Sequence, residues 1–328
     1  MRKVSFPFLL FFLAMACKKE IPQNPYYQLF RTHAVTNSAS YKHTANWSDS
    51  IFNISADHIN YIKEMNKIDG FDEIPVPSAN FSEIKSRMQS LQKSLHPKIN
   101  ALLNKHLFAV YFCEKLGGTG VSGIVYQENK PVGGFIILDS SMLDKAANDW
   151  ISAKENSVFS ARELDLKIQI EEASDNTKEN ALRYIFLHEF GHIIGVISGN
   201  VPDFRDQYRD FAGLPFFHKS WINENQSVFD DTFFYRKKIR FYSDKKIDLD
   251  QHWREIYPQL EKTPFPTLYS SVHPDEFFAD SFASFVHITI DNRPWRLKIS
   301  REGKIIYSSS IRPEKNQEQF EILQSIVR

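Results

Sequence analysis

Residues Ala181 to Ile197 read ALRYIFLHEFGHIIGVI, with His188-Glu189-Phe190-Gly191-His192 at their centre. The span is apolar on nearly every side and contains no proline, which predicts a buried helix. Ser174, Asp175 or Asn176 is placed to cap its start and Gly199 to end it. In such a helix His188 and His192 stand one turn apart on a single face, so both imidazoles can reach one Zn²⁺ at about 2.0 to 2.1 Å. Glu189 is rotated off that face but stays beside it. That is the place for a base that takes a proton from a metal-bound water, and not for a ligand. Two metal-free core histidines would leave the adjacent carboxylate buried without a partner, at a cost of several kcal/mol.

A catalytic zinc takes three protein ligands and keeps one position open. In the metzincin pattern the third ligand is a histidine three residues after a glycine. Here the glycine is Gly195 and the position holds Ser198, and Met1, Met15, Met65, Met88 and Met142 all precede the motif, so no methionine turn follows it. Further on, His273-Pro274-Asp275-Glu276-Phe277-Phe278-Ala279-Asp280 opens a second helix at Pro274, expected to run to about Val286. Glu276 and Asp280 share a face of that helix, with Ala279 and Ala283 beside them and Phe278, Phe282 and Phe285 opposite. Gly191 and Gly195 flank the histidine face in the same way, so the two backbones can approach closely. Glu276 is then the expected third ligand, and Asp280 the acceptor for the N–H of a ligand histidine. Acidic residues in a first turn are also what the helix dipole favours on an ordinary core helix. His273 and His218 are reserve ligands should Glu276 lie elsewhere.

These two segments together resemble the gluzincin metallopeptidases, most closely the catalytic domain of anthrax lethal factor. There the third ligand opens a Glu-Phe-Phe-Ala-Glu segment, and a tyrosine seven residues earlier points at the metal. The resemblance implies a zincin-like fold: a small mixed sheet packed on a buried active-site helix, with a mainly helical C-terminal subdomain. It also implies that Tyr269, seven residues before Glu276, donates a hydrogen bond to the oxyanion or the leaving amine. Asp280 stands where that family has a glutamate, and the insertion between the motif helix and Glu276 is longer. The likeness covers two short segments and carries no information about a target.

The chain of 328 residues is expected to be α+β. Helical spacing marks Ala56 to Met65, Phe81 to Leu95 and Pro97 to His106. Strand signals mark Leu107 to Cys113, Ser122 to Gln127 and Gly134 to Leu138, the last two flanking the turn Glu128-Asn129-Lys130-Pro131. Gly133 to Leu138 is the expected sheet edge for a peptide substrate laid down as an added strand. The charged stretch Arg236 to Asp250 reads as a solvated face, and the tail as a hairpin around Arg301-Glu302-Gly303 followed by a helix from about Pro313. Residues 77–328 are taken as the peptidase domain and residues 17–76 as a tether with a loosely packed N-terminal segment.

The amino terminus, Met1-Arg2-Lys3 followed by the apolar run Val4 to Ala16, reads as a secretory signal over residues 1–16, too short to span a bilayer. Ala14 and Ala16 ahead of Cys17 resemble a bacterial lipoprotein cleavage site, which implies an acylated Cys17 and a place on the cell envelope, at the periplasmic face or the cell surface. Cys113 is the only other cysteine, so no disulfide framework is available. Lys plus Arg and Asp plus Glu are both 40, which leaves no field to draw in nucleic acid. The expected activity is zinc-dependent hydrolysis of peptides or proteins. A binding lipoprotein that keeps the fold without catalysis, and a zinc hydrolase acting on cell-wall peptides, are the alternatives.

Overall fold

The computed structural model describes residues 24–42 and 44–328, and the fold is α+β. Residues 1–16 and Cys17 lie outside the described residues. The central sheet holds β1 (Ile51–Asn53), β2 (Val76–Pro77), β3 (Leu107–Glu114), β4 (Gly120–Gln127) and β5 (Lys130–Asp139). Its order is β1-β3-β5-β4, with β2 also on β3; β1, β3 and β5 run parallel, and β4 returns antiparallel on β5. The β4–β5 turn places Glu128 and Asn129 at positive φ.

Both faces of β3 are covered, which is why its sequence is continuously apolar instead of alternating. Leu107, Val110 and Phe112 point into the main core, with Ile124 and Tyr126 of β4 and Ile136 and Leu138 of β5. Ala109, Tyr111 and Cys113 point the other way and join Leu29, Val35, Ile54, Tyr61 and Ile62. Residues 24–76 are therefore not a tether with a loose segment. They contribute β1, the helix Ala56–Asp69 and a second core layer, and Trp47 and Ile51 are fully buried. Three-residue strands and 3-10 turns leave no periodicity to read, which hid this layer. Burial, then Asp139 and Glu114, push the Cys113 thiol up to about 12, so it is a packing residue.

The motif helix runs Lys178–Ile197; its N-cap is Thr177, whose hydroxyl accepts from the Asn180 N–H, one residue past the expected cap. It packs on β4 and β5 on one side and on the glutamate helix, Pro274–Phe285, on the other. Gly191 sits at the crossing. A Cβ there would lie 2.8 Å from the Ala279 Cα and 2.9 Å from its carbonyl oxygen, so the close approach needs glycine on one helix and alanine on the other. Gly195 is different: it lies under the Phe278 ring, a residue expected on the opposite face.

The C-terminal part carries the helices Leu249–Leu260, Pro274–Phe285 and Gln317–Ile326 with a hairpin beside them. Strands Arg296–Arg301 and Lys304–Ser310 form a hairpin that pairs antiparallel with Leu164–Gln169, burying Leu166, Ile168, Leu297 and Ile299 against the main core. Between Gly199 and Leu249 the backbone is turns and two-to-three-residue strands, held by buried Phe211, Phe216, Phe217, Trp221 and Phe233. Arg236, expected on a solvated face, is buried, paired with Asp230 and stacked over Trp221. Among the described residues no helix is long and apolar enough to cross a membrane.

Candidate metal centre and cleft

Helix geometry places His188 and His192 together, and the Gly191–Ala279 contact brings the second helix to them. His188 Nε2 lies 3.1 Å from Glu276 Oε2 and His192 Nε2 lies 3.7 Å from the same oxygen. The imidazole centroids are 5.1 Å apart with their planes at 84°. All three ligand-type atoms fall within 4.8 Å of one another. Ligand atoms arranged tetrahedrally at about 2.0 to 2.1 Å from one ion are separated by about 3.3 Å, a value the two Glu276 distances bracket. Among the described residues no second cluster of this kind occurs. The Glu276 side chain keeps 23 % exposure, so the centre opens to the cleft.

Behind the ligands, His188 Nδ1 is 3.1 Å from Asp280 Oδ1, and the other Asp280 oxygen accepts from the Thr267 hydroxyl. Burial works against the charged imidazole, but hydrogen bonds to Asp280 and Glu276 outweigh it and raise His188 to about 9. Burial likewise works against the Glu276 carboxylate, while the charge of His192 and the hydrogen bond from His188 hold it well below the usual range. Both shifts describe a nest of opposite charges closing on one point. His273 caps the glutamate helix, its Nδ1 accepting from the Asp275 N–H, and His218 is exposed with its Nδ1 on the Pro215 carbonyl. Neither reserve ligand joins the cluster. Ser198 bonds back to the Gly195 carbonyl at the helix end.

Glu189 points to β4. The Ser122 hydroxyl is 2.6 Å from Glu189 Oε2 and 2.8 Å from the Glu189 carbonyl oxygen. A Cβ on Gly120 would lie 2.7 Å from Glu189 Oε1, so the carboxylate fills the space that the glycine leaves. Tyr269, on a 3-10 turn before the glutamate helix, is half-buried with its ring 5.6 Å from that of His188. Burial, then the charges of Glu276, Glu189 and Asp280 and a hydrogen bond with Glu276, raise its hydroxyl well above the ordinary value, so it stays a protonated donor.

A cleft of about 460 Å³ holds His188, Glu189, His192, Tyr269 and Glu276, with Gly120 to Ser122 along one wall. That wall is β4. The expected edge, Gly133 to Leu138, lies in β5, which is hydrogen-bonded on both sides by β3 and β4 and cannot take an added strand. The edge strand on the cleft is β4, which Asn37 bridges only at Tyr126. Comparison of the chain with family models, with curated proteins and with solved structures finds no match. The site therefore stands on its own geometry.

Several residues of this site carry no signal in the sequence. Arg209 grips Asp275 through two bonds of 2.7 Å and holds Glu224 at 3.3 Å, tying the irregular region to the first turn of the glutamate helix. Ser122 and Gly120 are unremarkable in a strand, and Lys154, whose ammonium lies 3.5 Å from the centre of the Tyr269 ring, comes from a separate helix.

Proposed function

We propose that this chain is a zinc-dependent peptidase of zincin-like fold, with His188, His192 and Glu276 as metal ligands. The observation that carries the reading is the convergence of these three side chains beside Glu189 on an open cleft. When bound, zinc lowers the pKa of a coordinated water to about 7 and polarises a carbonyl. Glu189, steadied by Ser122, takes the proton of the attacking water and delivers it to the leaving nitrogen. Tyr269 donates to the developing oxyanion, a role that its raised pKa suits because the proton stays on the hydroxyl. Asp280 holds His188 with Nε2 turned toward the metal position. The β4 edge at Gly120 to Ser122 offers unpaired backbone groups to an extended peptide.

An acylated Cys17 would hold this domain at the cell envelope, and mass spectrometry of the mature amino terminus tests that: an unmodified cysteine refutes the anchor. The activity is tested by incubating the zinc-loaded protein with an unstructured protein, with and without chelator, beside Glu189→Gln. Chelator-sensitive cleavage, lost in Glu189→Gln while zinc stays bound, supports the reading. Equal cleavage by wild type and variant removes Glu189 as the base.

A further inference from the structure

A second cavity of about 160 Å³ adjoins the main cleft and shares Gly120, His188, Glu189 and Tyr269 with it. Its walls include Trp150, Tyr184, Tyr242 and Tyr269, and the Lys154 side chain also lines it. At about 30 Å³ per water it has room for about five waters, the bulk of one short side chain. The Lys154 ammonium lies 3.5 Å from the Tyr269 ring centre and 5.7 Å from that of Trp150. Among the described residues no carboxylate pairs directly with it; its nearest contacts are aromatic faces, while its charge also acts on Glu276, Asp280 and Glu155. A half-buried ammonium packed on ring faces, with no acceptor in hydrogen-bond contact, keeps donors for an anion.

The cavity wall shows a second sign of construction. Tyr242 is held at φ 55, a left-handed conformation that a bulky side chain rarely adopts, with its N–H donating to Ser157 Oγ at 3.0 Å. That turn sets an aromatic ring at the rim instead of letting the chain pass by.

We infer that this cavity is a specificity pocket in which Lys154 binds a substrate carboxylate next to the scissile bond. The inference rests on the peptidase reading for its meaning. The carboxylate comes either from an aspartate or glutamate side chain or from the substrate's own C-terminus. Lys154 is then a specificity-determining residue, and the aromatic walls exclude water from the ion pair, which strengthens it.

The test uses equilibrium binding, so that it does not depend on turnover. Zinc-loaded Glu189→Gln is titrated with alanine-rich peptide amides that carry one glutamate, or its glutamine isostere, walked along the peptide, and with the parent peptide bearing a free C-terminus. At one position the glutamate peptide should bind about tenfold more tightly than the glutamine peptide, or the free acid about tenfold more tightly than the amide. The first result assigns a side-chain carboxylate and the second a terminal one. Lys154→Met should collapse the ratio to near one, and Lys154→Glu should turn the preference toward a lysine peptide, a gain that misfolding cannot mimic. No carboxylate preference in the parent, or a preference that survives Lys154→Met, overturns the pocket. Cleavage assays on the same peptides with active enzyme report separately on the peptidase reading: turnover without acidic bias sinks the pocket alone, and binding preference without turnover sinks the peptidase alone.

Discussion

Ser122 on the edge strand β4 holds Glu189 on the motif helix, its hydroxyl 2.6 Å from the carboxylate. The edge strand thus carries one wall of the cleft and also holds the proposed base. Replacing Ser122 by Ala should lower turnover about tenfold while changing stability by about 1 kcal/mol or less, because one charge-assisted bond is lost and the carboxylate can turn to solvent. Steady-state kinetics beside thermal unfolding separates the two effects. Unchanged turnover removes Ser122 from the mechanism.

Gly120 makes the complementary case. An added methyl would stand 2.7 to 2.9 Å from Glu189 Oε1, Cδ and Cγ, and the cheapest relief is rotation of that side chain. Gly120→Ala should therefore fold and retain zinc, yet lose at least about tenfold in turnover, a loss that misplacing a catalytic group readily produces. Metal content and activity measured on one preparation check this.

Metal binding should stabilise the fold, since two imidazoles and a carboxylate preorganised on two helices bind an ion that the unfolded chain does not. With free zinc at about a hundred times its dissociation constant the gain is about 2.7 kcal/mol, a rise of several degrees in melting temperature. His188→Ala, His192→Ala and Glu276→Ala should each abolish the zinc-dependent rise. A melting curve indifferent to zinc and chelator would count against the ligand set. Asp280→Asn should keep the ligands but weaken zinc about 10- to 100-fold in competition with a chromogenic chelator, because the charge behind His188 is gone.

Stability should fall in mild acid through His58. It is 4 % exposed, bonded to Ser55 Oγ at 2.7 Å and in contact with Tyr41 Oη at 3.1 Å, and stacked at 3.8 Å on Tyr111 of β3. Burial, and then His33, lower its pKa from 6.5 to about 4. A histidine depressed in the folded state contributes stability that is present above pH 6.5 and lost as pH falls toward 4, to a limit of about 3 kcal/mol. Denaturant titrations at pH 7.5, 5.5 and 4 should show this slope in the wild type and a flatter one in His58→Leu. Equal slopes would refute the assignment.

Gly191→Ala should damage the helix crossing directly. The new Cβ meets backbone atoms of Ala279, not a side chain that can swing away. The helices must separate, at about 1 to 3 kcal/mol, and the His188–Glu276 approach goes with them. Chemical denaturation and zinc affinity should fall together; loss of one without the other would break the proposed link.

The residues that act within one helix were legible locally. The turn-by-turn repeat fixes where the side chains of His188, Glu189 and His192 point, whatever the helix packs against. Pro274, Glu276 and Asp280 were readable for the same reason, and so was the β4–β5 hairpin, whose turn chemistry is local. The tertiary structure alone decided which strand is the edge, because strand order is set by the parallel pairing of β1, β3 and β5 across long loops and leaves no trace in any one strand's pattern. It alone placed residues 24–76 against the sheet, since strand β1 is too short for its period to register. Ser122, Arg209, Lys154 and Tyr242 belong to the same class: each gains its role from a neighbour more than sixty residues away in sequence or from a pocket wall, a relation that a short-range signal cannot carry. Sequence by itself determined the helix faces that carry His188, His192 and Glu276, through helical periodicity. Packing decided what stands opposite them, because contact between distant segments depends on the summed burial of the whole chain.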